Sequence, residues 1–223
     1  MNHDPLYYPH SSRRSVVFAG RGMVAASQPL AAQAGLEVLR KGGNAVDAAV
    51  ATAACLTVVE PTSNGIGGDA FALVWTGGRL HGLNSSGPAP RSLSVETLAW
   101  AGYKEIPHYG VAPVTVPGAP AAWAELVRRF GRLPLTESMR PAIEYAEQGF
   151  PVSPVVGDLW RAAFNTYREF HSEAFRHWFE TFAPQGRAPV AGEMWRLPEQ
   201  AATLTAIAET NAEVFYRGDL AEK

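Results

Sequence analysis

Residues able to do chemistry are sparse in this sequence, and most also fit a structural role. Cys55 is the single thiol. A reactive cysteine needs a base and a partly exposed, electropositive setting, whereas Cys55 stands among Ala53, Ala54 and Leu56 and reads as a buried small hydrophobe. The six histidines, His3, His10, His81, His108, His171 and His177, include no i, i+4 pair and no carboxylate frame, so a metal site finds no support. The turn Asn64-Gly65-Ile66-Gly67-Gly68 could aim backbone N–H groups at a phosphate or an oxyanion. A dinucleotide loop, however, follows a strand and opens a helix, while this one follows a helical pattern and opens a strand, without the Lys-Ser/Thr of a P-loop. Positive φ in a tight turn and close approach of a neighbouring segment explain its glycines better.

The stretch Leu83-Asn84-Ser85-Ser86-Gly87-Pro88-Ala89-Pro90-Arg91 is the most suggestive. A short polar pair at a strand end, followed by a rigid turn, presents side chains to a pocket; a plain turn is an equal alternative. The aromatic residues from Trp160 through Phe164, Tyr167, Phe170, Phe175, Trp178 and Phe179 to Phe182 could clamp an apolar ligand, but this spacing favours helix packing. No complete Ser/His/Asp, Cys/His, metal or paired-carboxylate constellation is present.

The elements that must position these residues can be read from caps and periodicity. Ser27 as N-cap, Pro29 in a first turn and Gly42 beyond a basic last turn frame one helix. Asn44, with Asp47 three residues on, opens a second, whose Val46, Ala49, Val50, Ala53 and Leu56 recur at helical spacing and which Pro61 ends. Residues 70–75 form an apolar run suited to a buried strand, and Thr76-Gly77-Gly78 turns it into an alternating partner at 79–84, a β-hairpin. Further helices are expected at 119–130, at 141–148 with Pro141 in the first turn, at 153–170 and at 198–209. A last one opens at Asp219.

Length and composition bound the class. The 223 residues, 47% hydrophobic and 18% charged, can bury a real core. Lys and Arg number 19 against 21 Asp and Glu, a formal net charge of -2, which leaves no basic field for nucleic acid or acidic lipid. One cysteine forms no internal disulfide, and the first residues show no basic stretch ahead of an apolar run, so the expected location is cytoplasmic. The apolar segment 45–60 is interrupted by Asp47, Thr52 and Thr57 and is too short to span a bilayer. The residues alone give a soluble α/β chain.

Beyond that point the sequence resembles a known family. Arg21-Gly22-Met23-Val24-Ala25-Ala26-Ser27-Gln28-Pro29-Leu30-Ala31, Gly42-Gly43-Asn44-Ala45-Val46-Asp47-Ala48-Ala49-Val50-Ala51, and Val59-Glu60-Pro61 through Gly65-Ile66-Gly67-Gly68 are similar to the start of the γ-glutamyltransferase (γ-glutamyltranspeptidase) large subunit. Val116-Pro117-Gly118, Phe130-Gly131-Arg132-Leu133-Pro134-Leu135, Pro141-Ala142, Ala146-Glu147-Gln148-Gly149-Phe150 and Phe215-Tyr216-Arg217-Gly218 continue the resemblance in order.

The resemblance implies an N-terminal-nucleophile hydrolase with a four-layer αββα fold, residues 1–20 being an extension and 21–223 the front part of the large subunit. It implies a precursor that cleaves itself before a threonine whose freed amine then acts as base for its own hydroxyl. That threonine belongs to the small subunit, outside this chain, so the small subunit is the expected partner, the substrate is a small γ-glutamyl or related N-acyl amide, and the chain alone is expected to be inactive. No metal or organic cofactor is implied. In glutathione-using members an arginine grips the α-carboxylate of the glutamyl group, and alignment on Ala89-Pro90 puts Ser86 in its place. A serine cannot supply that bidentate clamp. Ser86, Ser85 and Arg91 are therefore the candidate substrate-binding residues. The serine-rich version is similar to cephalosporin acylase-like and γ-glutamyltransferase-like members. The alternatives are a glutaryl- or cephalosporin-type acylase, and a non-catalytic truncated paralogue.

Overall fold

The computed structural model describes residues 16–170 and 173–222. Most of the expected 1–20 extension, with His3, His10 and His171, lies outside them.

Helix α1 (Pro29–Arg40) is capped differently from expectation. Gln28, not Ser27, is the N-cap, its side-chain oxygen accepting the N–H groups of Leu30 and Ala31. Ser27 instead donates its hydroxyl to Glu60 at 2.5 Å, a long-range partner that sequence spacing does not reveal. Helix α2 (Ala45–Val59) opens on the expected capping box, Asn44 accepting from Val46 and Asp47 while Asp47 accepts from the Asn44 N–H.

The core is a stack of helices. α1 packs on α2, α2 on α5 (Leu135–Gln148), and α5 on α8 (Pro198–Glu209). Ala31, Val58, Met139, Ala142, Leu204 and Ile207 are buried within it. Small residues on α1 and α2 allow close helix contact, and the apolar area removed from water is the main stabilising term. α5 begins at Leu135, earlier than expected, with Pro141 in its interior rather than its first turn. Burial of Leu135 and Met139 in the core outweighs the backbone hydrogen bond that Pro141 cannot donate.

Helices α4 (Ala119–Phe130) and α8 occupy their expected positions. α6 (Pro154–Tyr167) is capped by Ser153 and stops short of Phe170. α3 (Val95–Trp100), capped by Ser94, was not read from the sequence. α7 (Arg176–Phe182), α9 (Glu213–Arg217) and α10 (Asp219–Glu222) are short, the last opening at Asp219 as expected.

The hairpin of β1 (Ala70–Thr76) and β2 (Arg79–Ser85) turns on Gly77 and Gly78, whose φ values of +56° and +73° suit a two-residue loop between twisted strands. Its register pairs Phe71 with Asn84, Leu73 with Gly82 and Trp75 with Leu80. Ala72, Val74 and Leu83, on the other face, pack against the core, and His81 lies 5.0 Å, centroid to centroid, from Phe130 of α4. The expectation of a buried strand thus holds for one face only. Phe71, Leu73 and Trp75 are 69%, 77% and 71% exposed, because no second layer covers them among the described residues. A second ladder pairs β3 (Phe150–Pro151) with β4 (Met194–Trp195). Helices and antiparallel strands are mixed, an α/β chain whose sheets each have two strands among the described residues.

Candidate functional site

Three segments separated in sequence meet where β2 ends. The Ser85 hydroxyl donates to the Gly118 carbonyl at 2.8 Å, Val116 N–H donates to the Pro88 carbonyl at 3.0 Å, and the N–H groups of Gly118 and Ala119 both donate to the Gly68 carbonyl at 3.0 Å. The turn of residues 65–68, the end of β2 and the segment ahead of α4 therefore form one knot. Glycine is required at two places in it. A Cβ on Gly118 would lie 1.7 Å from the Ser85 carbonyl oxygen, and one on Gly87 would lie 1.5 Å from that of Val116.

The expected role of the turn glycines is corrected on both counts. None of Gly65, Gly67 and Gly68 has positive φ. Nor does close approach require them, since a Cβ on Gly67 would meet nothing within 4 Å and those on Gly65 and Gly68 would meet no atom nearer than 3.9 and 3.5 Å. Of the turn's own N–H groups, that of Gly68 is directed back at the Gly65 carbonyl at 3.4 Å.

Tyr216, from α9, braces the same knot. Its phenol donates to the Pro117 carbonyl at 2.7 Å and accepts the Ala121 N–H at 3.1 Å. Burial raises the phenol above its ordinary pKa, opposed by the Ala121 hydrogen bond, and keeps it a donor at neutral pH.

The candidate residues separate by environment. Ser85 is half-buried and committed to Gly118, a latch between β2 and α4. Ser86 is exposed, with its N–H and its hydroxyl both donated to Asn84 Oδ1 at 2.9 Å. Gly87 N–H donates to Asp69 Oδ1 at 3.2 Å. Arg91 is exposed and makes no hydrogen bond or ion pair among the described residues. Asn84 and Asp69, which shape this turn, were not singled out from the sequence. The Asn84-Ser85-Ser86 spacing of an Asx-turn was the available signal for Asn84, whereas nothing local announces the contact between Asp69 and Gly87.

The other candidates fall away from this place. Cys55 is fully buried, and burial pushes its thiol pKa up to about 12, so it is not a nucleophile. The aromatic residues pack on one another, with Trp160 buried against Trp195 at 5.2 Å, Phe170 stacked on Phe175 at 4.8 Å and Tyr109 joining Phe170 at 5.1 Å. No three His, Cys, Asp or Glu side chains gather as a metal site among the described residues.

The knot joins the segments that carried the family resemblance, and the family model for gamma-glutamyltranspeptidase matches residues 31–223. The chain belongs to the γ-glutamyltranspeptidase family. Within it, the chain is 37% identical over 210 residues to the glutathione hydrolase-like YwrD proenzyme of Bacillus subtilis, covering 93% of this chain and 39% of that protein. It is 38% identical over 221 residues to the oxamate amidohydrolase proenzyme of Klebsiella pneumoniae, covering 96% and 40%. A crystal structure of cephalosporin acylase from Bacillus halodurans superposes with a TM-score of 0.93 at 61% identity, covering 98% of this chain and 41% of that one. The γ-glutamyltranspeptidase of Helicobacter pylori gives a TM-score of 0.83 at 28% identity, covering 93% and 60%. The chain thus spans about two fifths of the length of the first relatives it matches. No helix of the described residues is long and apolar enough to cross a membrane.

Proposed function

We propose that the complete protein is an amide hydrolase or acyltransferase that works through an N-terminal threonine, and that this chain is the front of its large subunit. In this reading the threonine lies in a small subunit outside residues 1–223. Its hydroxyl attacks the substrate amide carbonyl, the amine leaves with a proton, and water or a second amine takes the acyl group from the ester. Residues 1–223 hold no such nucleophile and are inactive alone.

The observation that carries the proposal is the bare outer face of the hairpin. Phe71, Leu73, Trp75 and Leu80 are each at least 60% exposed on one side of a two-stranded sheet whose other side is packed. A contiguous apolar face of this kind marks a surface meant to be covered. A second sheet from the small subunit would cover it, supply further strands and complete four layers, and would bring the threonine to the end of β2.

The acyl group is read from Ser86. Without an arginine there, the complete enzyme takes acyl groups other than γ-glutamyl, and an acylase activity is favoured over glutathione hydrolysis. The 61% identity to a cephalosporin acylase structure supports that direction. The test is turnover by the purified complete protein of γ-glutamyl, glutaryl and unsubstituted acyl p-nitroanilides. Release of nitroaniline from any of them supports the amide-hydrolase reading. Release from the γ-glutamyl compound alone contradicts the reading of Ser86, and release from none contradicts the proposal.

A further inference from the structure

Helix α2 has no polar face. Its polar side chains are turned inward and satisfied: Asp47 accepts the N–H groups of Asn44 and Arg132, Thr52 donates to the Ala48 carbonyl at 2.8 Å, and Thr57 donates to that of Ala54 at 2.7 Å. The residues of α2 that stay uncovered are all apolar, and four of them, Ala45, Ala49, Ala53 and Leu56, form one stripe at helical spacing. A helix that is apolar all round belongs in an interior, so this stripe needs a cover that the described residues do not supply.

Two cavities, of about 610 and 550 Å³, share Asn44, Ala45, Ala49 and Arg132 and run together as one trough over the stripe. One wall is the segment of residues 21–26, each of which lines the first cavity; residues 22–26 belong to no helix or strand and make no hydrogen bond among the described residues. The other wall is β1. Residues 72–76 all line the second cavity and no residue of β2 does, so the trough follows the edge of β1 that is open among the described residues. Thr76 and Arg79 flank a two-residue turn and form a hydrogen-bonded pair, and the alternation of an antiparallel ladder then leaves the N–H and C=O groups of Phe71, Leu73 and Trp75 directed outward. Two unpaired edges bordering one apolar floor are a template for further strand pairing. No aspartate or glutamate lines either cavity, whereas Arg21 and Arg132 do, both exposed and without an ion pair among the described residues.

We infer that the trough over α2 is a strand slot, filled by β-structure from the part of this protein beyond residue 223. It hydrogen-bonds to β1 on one side and to residues 22–26 on the other, and brings a carboxylate to Arg132 at the start of α2. The matched relatives are about two and a half times as long as this chain, which supplies the length. The stretch of residues 1–15 is the poorer occupant, because Pro5 and Pro9 lack the N–H that a strand paired on both edges must donate. The inference rests on the proposal above only in taking this chain as the front of a longer protein, and it names a contact distinct from the cover on the outer face of the hairpin.

The experiment uses the complete, processed protein. By hydrogen exchange, the amides of Phe71, Leu73 and Trp75 and alternate amides of residues 22–26 are expected to exchange at least about a hundredfold more slowly than in an unstructured chain. In Arg132→Lys, a carbodiimide is expected to join the new amine to an aspartate or glutamate beyond residue 223, identified by peptide mass mapping. Exchange of both edges at the unstructured rate overturns the inference, as does a cross-link to residues 1–15 or to a second copy. Absence of any cross-link overturns the carboxylate at Arg132. None of these readouts depends on turnover: protected edges with a cross-link beyond residue 223, in a protein that cleaves no amide, support the slot and contradict the amide-hydrolase reading alone.

Discussion

Asp47 and Arg132, 85 residues apart, are joined through the Asp47 carboxylate, whose two oxygens accept the Arg132 backbone N–H at 3.1 and 3.0 Å. The same carboxylate accepts the N–H groups of Asn44 at 2.8 Å and Leu133 at 3.4 Å, and Asp47 is fully buried. One side chain thus starts α2 and fixes the connection between α4 and α5. A buried charge is tolerable only with such full hydrogen bonding.

Replacing Asp47 with alanine leaves three backbone N–H groups without their acceptor, so Asp47→Ala should lower stability by about 2–4 kcal/mol. Asp47→Asn, which keeps one oxygen, should cost less. Urea unfolding of the complete protein measures both. A loss below about 0.5 kcal/mol for the alanine variant would remove this contact from the account.

Gly118 tests the knot at the end of β2. Its Cβ would sit 1.7 Å from the Ser85 carbonyl, so Gly118→Ala must push β2 away from α4. The expected result is a clear fall in Tm, with about 2–4 kcal/mol lost by analogy with other sites that allow no extra atom. A Tm unchanged in Gly118→Ala would mean that the strand end and α4 are not in contact.

Tyr216→Phe removes a hydroxyl that bridges Pro117 and Ala121. The expected cost is about 1–2 kcal/mol. Burial raises the native phenol pKa, so its contribution is whole below the ordinary tyrosine value of about 10 and is lost as pH rises through the higher native value. The stability difference between wild type and Tyr216→Phe should therefore be flat from neutral pH to about pH 9 and shrink in stronger alkali. A difference already shrinking near neutrality would contradict the assigned environment.

Cys55 should be inert in the folded protein. With no exposed surface and a thiol raised to about 12, it should react with a disulfide reagent only when the protein unfolds, one equivalent per chain in denaturant. Rapid labelling of the native protein would show that the α2 core opens.

How far the sequence could be read follows from how local each signal is. The Asn44 capping box, the Gly77-Gly78 turn and the start of α8 at Pro198 are set within a few residues, and all three are found as expected. Gln28 replaced Ser27 as a cap because Ser27 is held by Glu60, 33 residues on. Pro141 entered the interior of α5 because the burial of Leu135 and Met139 is a tertiary effect. At the candidate site, the polar strand end was visible in the sequence. That Gly87 leans on Asp69, and that Ser85 belongs to α4 as a latch, depends on the meeting of three segments and has no local signature.

In the proposed reading this chain is one part of a self-processing amide hydrolase. Intact-mass measurement with N-terminal sequencing of the protein made from the complete gene tests it most directly. Two chains are expected, the second beginning with threonine, whose masses sum to that of the precursor plus one water taken up at the cleaved peptide bond. A single unprocessed chain that also releases no amine from any acyl substrate would contradict it.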